Sequence, residues 1–486
     1  VTDPRTLTRV AAWLLVAAAL LYSLWLPQQY LNPHIDRVTA YISELDAADQ
    51  PWSWIGRLGD ALAGAAVLAA VALVPDPRPN RWSLTGWIGL AVFGAATLID
   101  GMLALDCATL SDPACLAREH AGTVSLSHDL HTASSAVAAF GAMFSLLTLP
   151  VGSRSRAIRY GGAVLAPAAL AATVWTLLAV SLQGQVGAAQ RLQVALFALW
   201  TVVVAYGLPR AGPAGRRGGV HVVREGTGTP VIVLASGIAG AWFHWDGVAA
   251  ALRGEGTVVG FDRPGLGRSP APVVPPTLRR EAVRLLALAG GSPAVLVAHS
   301  AAAWHAEACA RWWPGPVVGM VLVDPSCEPG GRRGTAFGRA LRGAMPALGG
   351  TFGMAVLARL LGPPAHRLLA PDGPGDGRER EVYGSARVAA ASAGEWLAYR
   401  DMAHDMAALR RERPYPPIPT VVIGTGADDR CQRDLAASLR AELVVLPGCG
   451  HQVHLERPAA VAAAVRAVIA AWKRGGRRSG PRSDPH

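Results

Sequence analysis

The first 210 residues contain six apolar runs, roughly 10–26, 55–74, 83–105, 126–149, 161–182 and 191–208. Each is close to the ~20 residues a helix needs to cross the hydrocarbon core of a bilayer, and several are too long for a helix in a soluble core. Only 16% of the chain is charged, against about 25% in an average soluble protein, which fits a chain partly dissolved in lipid. The first run is short enough to raise a signal peptide as its rival. Five more spans follow it, and Pro27 with its polar loop does not look like a cleavage site, so the run reads as a retained span.

Arginines in the flanks orient the spans. With the N-terminus in the cytoplasm, the inside segments hold Arg5, Arg9, Arg78, Arg81, Arg154, Arg156, Arg159, Arg210, Arg216 and Arg217; the outside segments hold Arg37, Arg57, Arg118 and Arg191. The excess inside supports this orientation, and six crossings return the chain to the cytoplasm. The net charge of +11 is then a matter of loop orientation and an anionic membrane surface. No basic stripe interleaved with aromatics is present, so no nucleic-acid partner is expected. Cys107 and Cys115 share the polar loop between the third and fourth runs, on the oxidising side, where a disulfide is expected. Cys309, Cys327, Cys431 and Cys449 fall on the reducing side, with no metal-ligand spacing.

Composition changes at "RAGPAGRRGG" (210–219), a flexible linker over 210–218. Beyond it, β-rich runs such as "PVIVLASG", "TVVGFD", "AVLVAHS", "VVGMVLVDP" and "PTVVIGTG" alternate with helical stretches. That alternation predicts a mostly parallel sheet with helices on both faces, spanning 219–472. The expected division is a six-helix membrane domain over 1–209, the linker, this α/β domain with a helical cap at 326–416, and a basic disordered tail over 473–486. Within the cap, 335–361 and 386–411 read as helical and "GPPAHRLLAPDGPGDGRERE" as loop.

Within "AVLVAHSAAAW" the small-x-Ser-x-small spacing around Ser300 has the shape of a nucleophile elbow, a strained strand-to-helix turn that needs small neighbours. "VIVLASGIAGAWFHW" (231–245) ends a strand in a glycine turn, and "GCGHQVHLERP" (448–458) puts His451 on a loop before the final helix. "VVIGTGADDRC" (421–431) supplies two carboxylates after a strand. Together these segments resemble the α/β-hydrolase fold family, in its capped form with a serine nucleophile, over about half the chain.

The resemblance implies Ser300 as nucleophile, His451 as base and Asp429 as acid, with Asp428 and Asp324 as alternative acids. It implies an oxyanion hole from the N–H groups of Ile238 and Ala301, where each such donor supplies ~3 kcal/mol. Trp242, His244 and Trp245 are pocket candidates or packing residues, and His299 and His454 read as structural. Two departures from the family pattern stand out: Ser236-Gly237 replaces His-Gly, and alanines replace the elbow glycines. Serine at the elbow disfavours the aspartate-dependent dehalogenase and epoxide-hydrolase reactions. The implied activity is ester, thioester or lipid hydrolysis through an acyl-serine on an apolar small-molecule substrate, without cofactor. The rivals are acyl transfer and a membrane sensor or transport module whose hydrolase domain only binds.

"TAYISELDA" (39–47) and "HDLHTASS" (128–135) resemble an uncharacterised family of six-helix bacterial membrane domains. Asp60, Asp100, His128, Asp129 and His131 lie near the outer ends of spans two to four, and ionisable groups at such positions point to function. His128 and His131 share a helix face and with Asp100 or Asp60 offer a metal-ligand set. The preferred reading is an interfacial cluster, with Arg57 paired to Asp60 and no metal.

Overall fold

A computed structural model describes residues 4–78, 80–182, 184–208, 219–327, 331–371, 373, 375–426 and 430–478. The chain divides into two compact units near residue 214. The expected linker 210–218 lies outside the described residues.

The N-terminal unit contains six long helices: α1 (Pro4–Tyr22), α2 (Ser53–Leu73), α3 (Arg81–Met102), α4 (Leu126–Gly152), α5 (Arg156–Ser181) and α6 (Val186–Gly207). All six are long and apolar enough to cross a membrane, which makes this a multi-pass membrane protein. Small residues let the helices approach, as expected where lipid removes the hydrophobic drive for association. A Cβ on Gly64 of α2 would stand 2.4 Å from the carbonyl oxygen of Gly94 on α3. The loop between α3 and α4 carries the Cys107–Cys115 disulfide.

The C-terminal unit is built on a seven-stranded sheet: β1 (Val222–Glu225), β2 (Val231–Ala235), β3 (Thr257–Phe261), β4 (Ala294–His299), β5 (Val317–Val323), β6 (Thr420–Gly424) and β7 (Glu442–Val445). The strand order is β1-β3-β2-β4-β5-β6-β7, with only β1 antiparallel. The central strands are apolar throughout because both faces are covered. Val231, Val233 and Ala235 of β2 pack with α7 (Leu278–Ala289) and α8 (Ala302–Trp312), while Ile232 and Leu234 pack with the last helix, α10 (Pro458–Arg478). Full burial of each valine, isoleucine or leucine among them contributes roughly 1.5–3 kcal/mol.

Chain direction reverses about β2 and β4: β2 leads to β3 on one side, and the chain then crosses back to β4 on the other. In open α/β sheets such a switch point leaves a crevice at the carboxyl ends of the strands. The segment between β5 and β6 is helical, including Ala336–Leu348, Phe352–Leu369, Arg378–Tyr383 and α9 (Ala386–Glu412). Two sequence expectations are corrected here. The Pro- and Gly-rich stretch 362–381 is largely helical, because Pro363 and Pro364 are carried inside a helix and Gly377 caps the next one. The basic tail does not begin at Lys473, since α10 continues to Arg478, and cations suit the carboxyl end of a helix dipole. Residues 479–486 lie outside the described residues.

Candidate active site

β2 and β4 pair in parallel with Ala235 opposite Ala298, so the turns that follow them emerge side by side. The turn after β4 is Ser300, with φ of +52°. A non-glycine residue in this left-handed region costs about 1–3 kcal/mol, and the conformation lifts the hydroxyl off the strand end. The Ser300 N–H is tied to the Val323 carbonyl at 3.0 Å, and the Ser300 carbonyl accepts from the Ser326 N–H at 3.1 Å. Ala298 and Ala302, which flank the turn, are completely buried.

His451 reaches this turn from the loop after β7. Its Nε2 lies 3.1 Å from Ser300 Oγ, and its Nδ1 lies 2.5 Å from Asp324 Oδ2. A carboxylate can only accept, so the imidazole carries its proton on Nδ1 and presents a lone pair to the serine. Burial works against a charged Asp324, but hydrogen bonds from His451 and Gln432 outweigh it and hold the carboxyl below its usual range. The Gln432 amide donates to the other carboxylate oxygen at 2.5 Å. Among the described residues the carboxylate on His451 is thus Asp324, after β5. Asp429 and Asp428 lie outside the described residues.

The turn after β2 carries Ile238, and neither the Ile238 N–H nor the Ala301 N–H has an acceptor among the described residues. Gly237 is required by close approach: a Cβ there would stand 2.8 Å from His299 Nδ1 and 2.9 Å from Ser300 Cβ. The serine at 236 holds this loop itself, with its Oγ accepting from Trp245 Nε1 at 2.9 Å and donating to the Ala241 carbonyl at 3.3 Å.

Arg263 and Glu395 brace the same turn. The Arg263 guanidinium donates to the carbonyls of Ser236 and Gly237 and to Glu395 Oε1 at 2.6 Å. Glu395 Oε2 accepts the Ala239 N–H at 3.0 Å. Both side chains are buried, so each charge depends on the other. Sequence reasoning missed this pair. Its signal was available, since Glu395 shares one face of α9 with Ala391, Ala398 and Met402, and a lone carboxylate on an apolar stripe demands a partner.

A cavity of about 200 Å³ adjoins the turn, lined by Ile238, Leu369, Val388, Trp396 and other mostly apolar side chains. Of the three pocket candidates, only His244 lines it; Trp242 and Trp245 are packed in core clusters. His299 is buried and donates to the His451 carbonyl at 2.9 Å, which helps position that loop. His454 stacks on Trp245 with ring centroids 4.4 Å apart. Burial, with a contribution from neighbouring His366 and His451 respectively, pushes His244 and His299 down to about 3, and burial pushes His305 to about 3.

The loops at this end of the sheet are joined by a second disulfide, Cys327–Cys431. The sequence reading placed all four cysteines of this half on the reducing side and assigned them no disulfide; the segments after β5 and β6 bring Cys327 and Cys431 together, and Cys309 and Cys449 are free.

With this geometry in place, residues 232–464 match the model of the "Alpha/beta hydrolase family", and residues 15–207 match that of "Protein of unknown function (DUF998)". Solved structures similar to this chain include an enol-lactonase from Burkholderia xenovorans LB400, with 22% identity and TM-score 0.39, covering 52% of this chain and 96% of that one. A thermophilic esterase from Thermogutta terrifontis has 22% identity and TM-score 0.38, covering 52% and 94%. The haloalkane dehalogenase DbeA from Bradyrhizobium elkani USDA94 has 15% identity and TM-score 0.41, covering 53% and 100%. No curated protein matches the chain.

Two predictions follow from the buried groups. Glu395→Ala leaves the Arg263 charge unpaired and is expected to cost about 3–5 kcal/mol, read by denaturant unfolding; a loss under 1 kcal/mol contradicts the bracing role. The histidines held near 3 are neutral in the fold, but near 6.5 they protonate in the unfolded chain. The unfolded state therefore binds more protons between those values, and stability is full above about 6.5 and falls on acidification. Each histidine should contribute a slope of about 1.4 kcal/mol per pH unit, so a flat stability profile from pH 7 to 5 would refute the assignment.

Proposed function

Residues 232–464 form an alpha/beta-hydrolase domain following six membrane-spanning helices, and on that footing we propose that the chain is a membrane-anchored serine hydrolase of apolar acyl substrates. Its nucleophile is Ser300, its base His451 and its acid Asp324. The observation that carries this reading is the 3.1 Å contact between Ser300 Oγ and His451 Nε2 on a left-handed turn.

In this reaction the Ser300 oxygen attacks the acyl carbonyl while its proton passes to His451 Nε2. Asp324 stabilises the imidazolium that forms. The N–H groups of Ile238 and Ala301 receive the developing oxyanion, each supplying ~3 kcal/mol. His451 returns the proton to the leaving alcohol or thiol, and water then attacks the acyl-serine by the same route. The apolar cavity beside Ile238 receives the acyl group.

A fluorophosphonate probe tests the nucleophile. It should label the native protein, and Ser300→Ala should abolish labelling; an unlabelled native protein would favour a binding-only sensor or transport domain. Asp324→Asn should slow ester hydrolysis by about 10³–10⁴-fold, whereas Asp429→Asn should change it only a few-fold. The reverse order would return the acid role to Asp429. Product analysis with an added alcohol separates hydrolysis from acyl transfer.

The arginine distribution favours a cytoplasmic hydrolase domain. Six crossings then put Cys107–Cys115 and Cys327–Cys431 on opposite sides of the membrane. In a cytoplasmic domain the reducing pool should keep the Cys327–Cys431 bond open, so alkylation of acid-quenched cells should modify these two directly, and Cys107 and Cys115 only after reduction. Protection of Cys327 and Cys431 in cells would place the domain outside.

A further inference from the structure

The polar residues near the ends of spans two to four, which acyl hydrolysis does not use, converge inside the membrane domain. A cavity of about 90 Å³ is reached by Asp46, Asp60 and Asp100, and a larger one of about 490 Å³ by Glu44, Glu119 and His128. The two share His131, Ser135, Ala139, Gln190 and Gln193 in their walls, so they adjoin across these residues. The larger is in the size range of small-molecule sites.

Two groups in these walls lack the partner their chemistry requires. His131 is 4% exposed; its Nδ1 lies 3.0 Å from the Leu103 carbonyl, and its Nε2 is buried with no hydrogen-bond partner. The carbonyl fixes the proton on Nδ1, so Nε2 is a bare acceptor in need of a donor. Asp60 forms no hydrogen bond or ion pair within the described residues. The expected pairing with Arg57 is not made, and Arg57 lines neither cavity. Other acceptors are already engaged. Asp100 accepts from the hydroxyls of Ser134 and Ser135, and Glu44 from the Leu110 and Ser111 N–H groups and the Ser111 hydroxyl.

The wall therefore carries five carboxyl groups and no lysine or arginine. An unpaired carboxylate at membrane depth is expensive, and this lining repels a phosphate and favours a cation rich in donors. No group of three or more His, Cys, Asp or Glu among the described residues is arranged to hold a metal ion. The outer wall is different in kind. Phe140 of α4 and Leu177 of α5 are 67% and 64% exposed, so the larger cavity borders the surface that faces lipid.

We propose that the membrane domain binds a long-chain primary amine. The ammonium head sits between Asp60 and His131 Nε2, which accept two of its three N–H groups, and the hydrocarbon chain leaves past Phe140 and Leu177. The site is separate from Ser300 and does not depend on hydrolysis.

The test is binding of dodecylamine to the full chain in nanodiscs, with empty nanodiscs as the blank. Saturable binding is expected, at least tenfold tighter than dodecanol, with dodecyl phosphate excluded and ethylamine at least a hundredfold weaker. Asp60→Asn should lose at least tenfold in affinity, and Ser300→Ala should lose nothing. Uptake equal to the blank, equal binding of dodecanol or the phosphate, or an unaffected Asp60→Asn protein would overturn the proposal. Ethylamine binding as tightly as dodecylamine would replace the lipid amine with a soluble cation and overturn it equally. The headgroup series uses the native chain, so an unfolded variant does not decide the outcome.

Discussion

The parallel pairing of β2 with β4, with Ala235 opposite Ala298, sets the distance on which the rest of the C-terminal unit depends. Because the two strands end at the same level, the turn carrying Ser300 and the turn carrying Ile238 open toward the same crevice. β5, next in the sheet, ends beside them and delivers Asp324 to the far side of the His451 ring. A register slip of one residue would turn every side chain to the opposite face and separate these groups. The apolar strand interiors that fix the register are thus also what aligns the polar groups at their ends.

Alignment alone does not hold a turn whose N–H groups must stay unpaired. Arg263 and Glu395 supply that restraint by occupying the carbonyls of Ser236 and Gly237 and the N–H of Ala239, while the Ile238 N–H has no acceptor among the described residues. A buried ion pair is a poor source of net stability, since desolvation offsets most of the attraction. Its value here is geometric: removing either partner leaves a buried charge, so the turn has one arrangement of low energy. Glu395 comes from α9, in the helical segment between β5 and β6, which ties that segment to the turn.

The sequence was most legible where periodicity and spacing repeat a physical requirement. Six runs of bilayer length, the sheet pattern, the Ser300 elbow and the His451 loop were all visible before any coordinates. The acid was less so, because a carboxylate after β5 and one after β6 satisfy the same local pattern, and only the fold shows that Asp324 reaches His451. The Arg263–Glu395 pair was hidden by its separation along the chain, and Cys327 and Cys431 by theirs. Whether Trp242 and Trp245 line a pocket or pack in a core stayed open, because an aromatic cluster after a glycine turn looks alike in either setting.

The central claim is that the Ser300 oxygen becomes acylated. Rapid acid quench of the protein during turnover of a p-nitrophenyl ester, followed by peptide mass spectrometry, measures this directly. The account predicts the acyl mass on the peptide containing Ser300, appearing with the burst of nitrophenol and decaying with turnover. Turnover without any adduct at Ser300, or with the adduct on another residue, would contradict it.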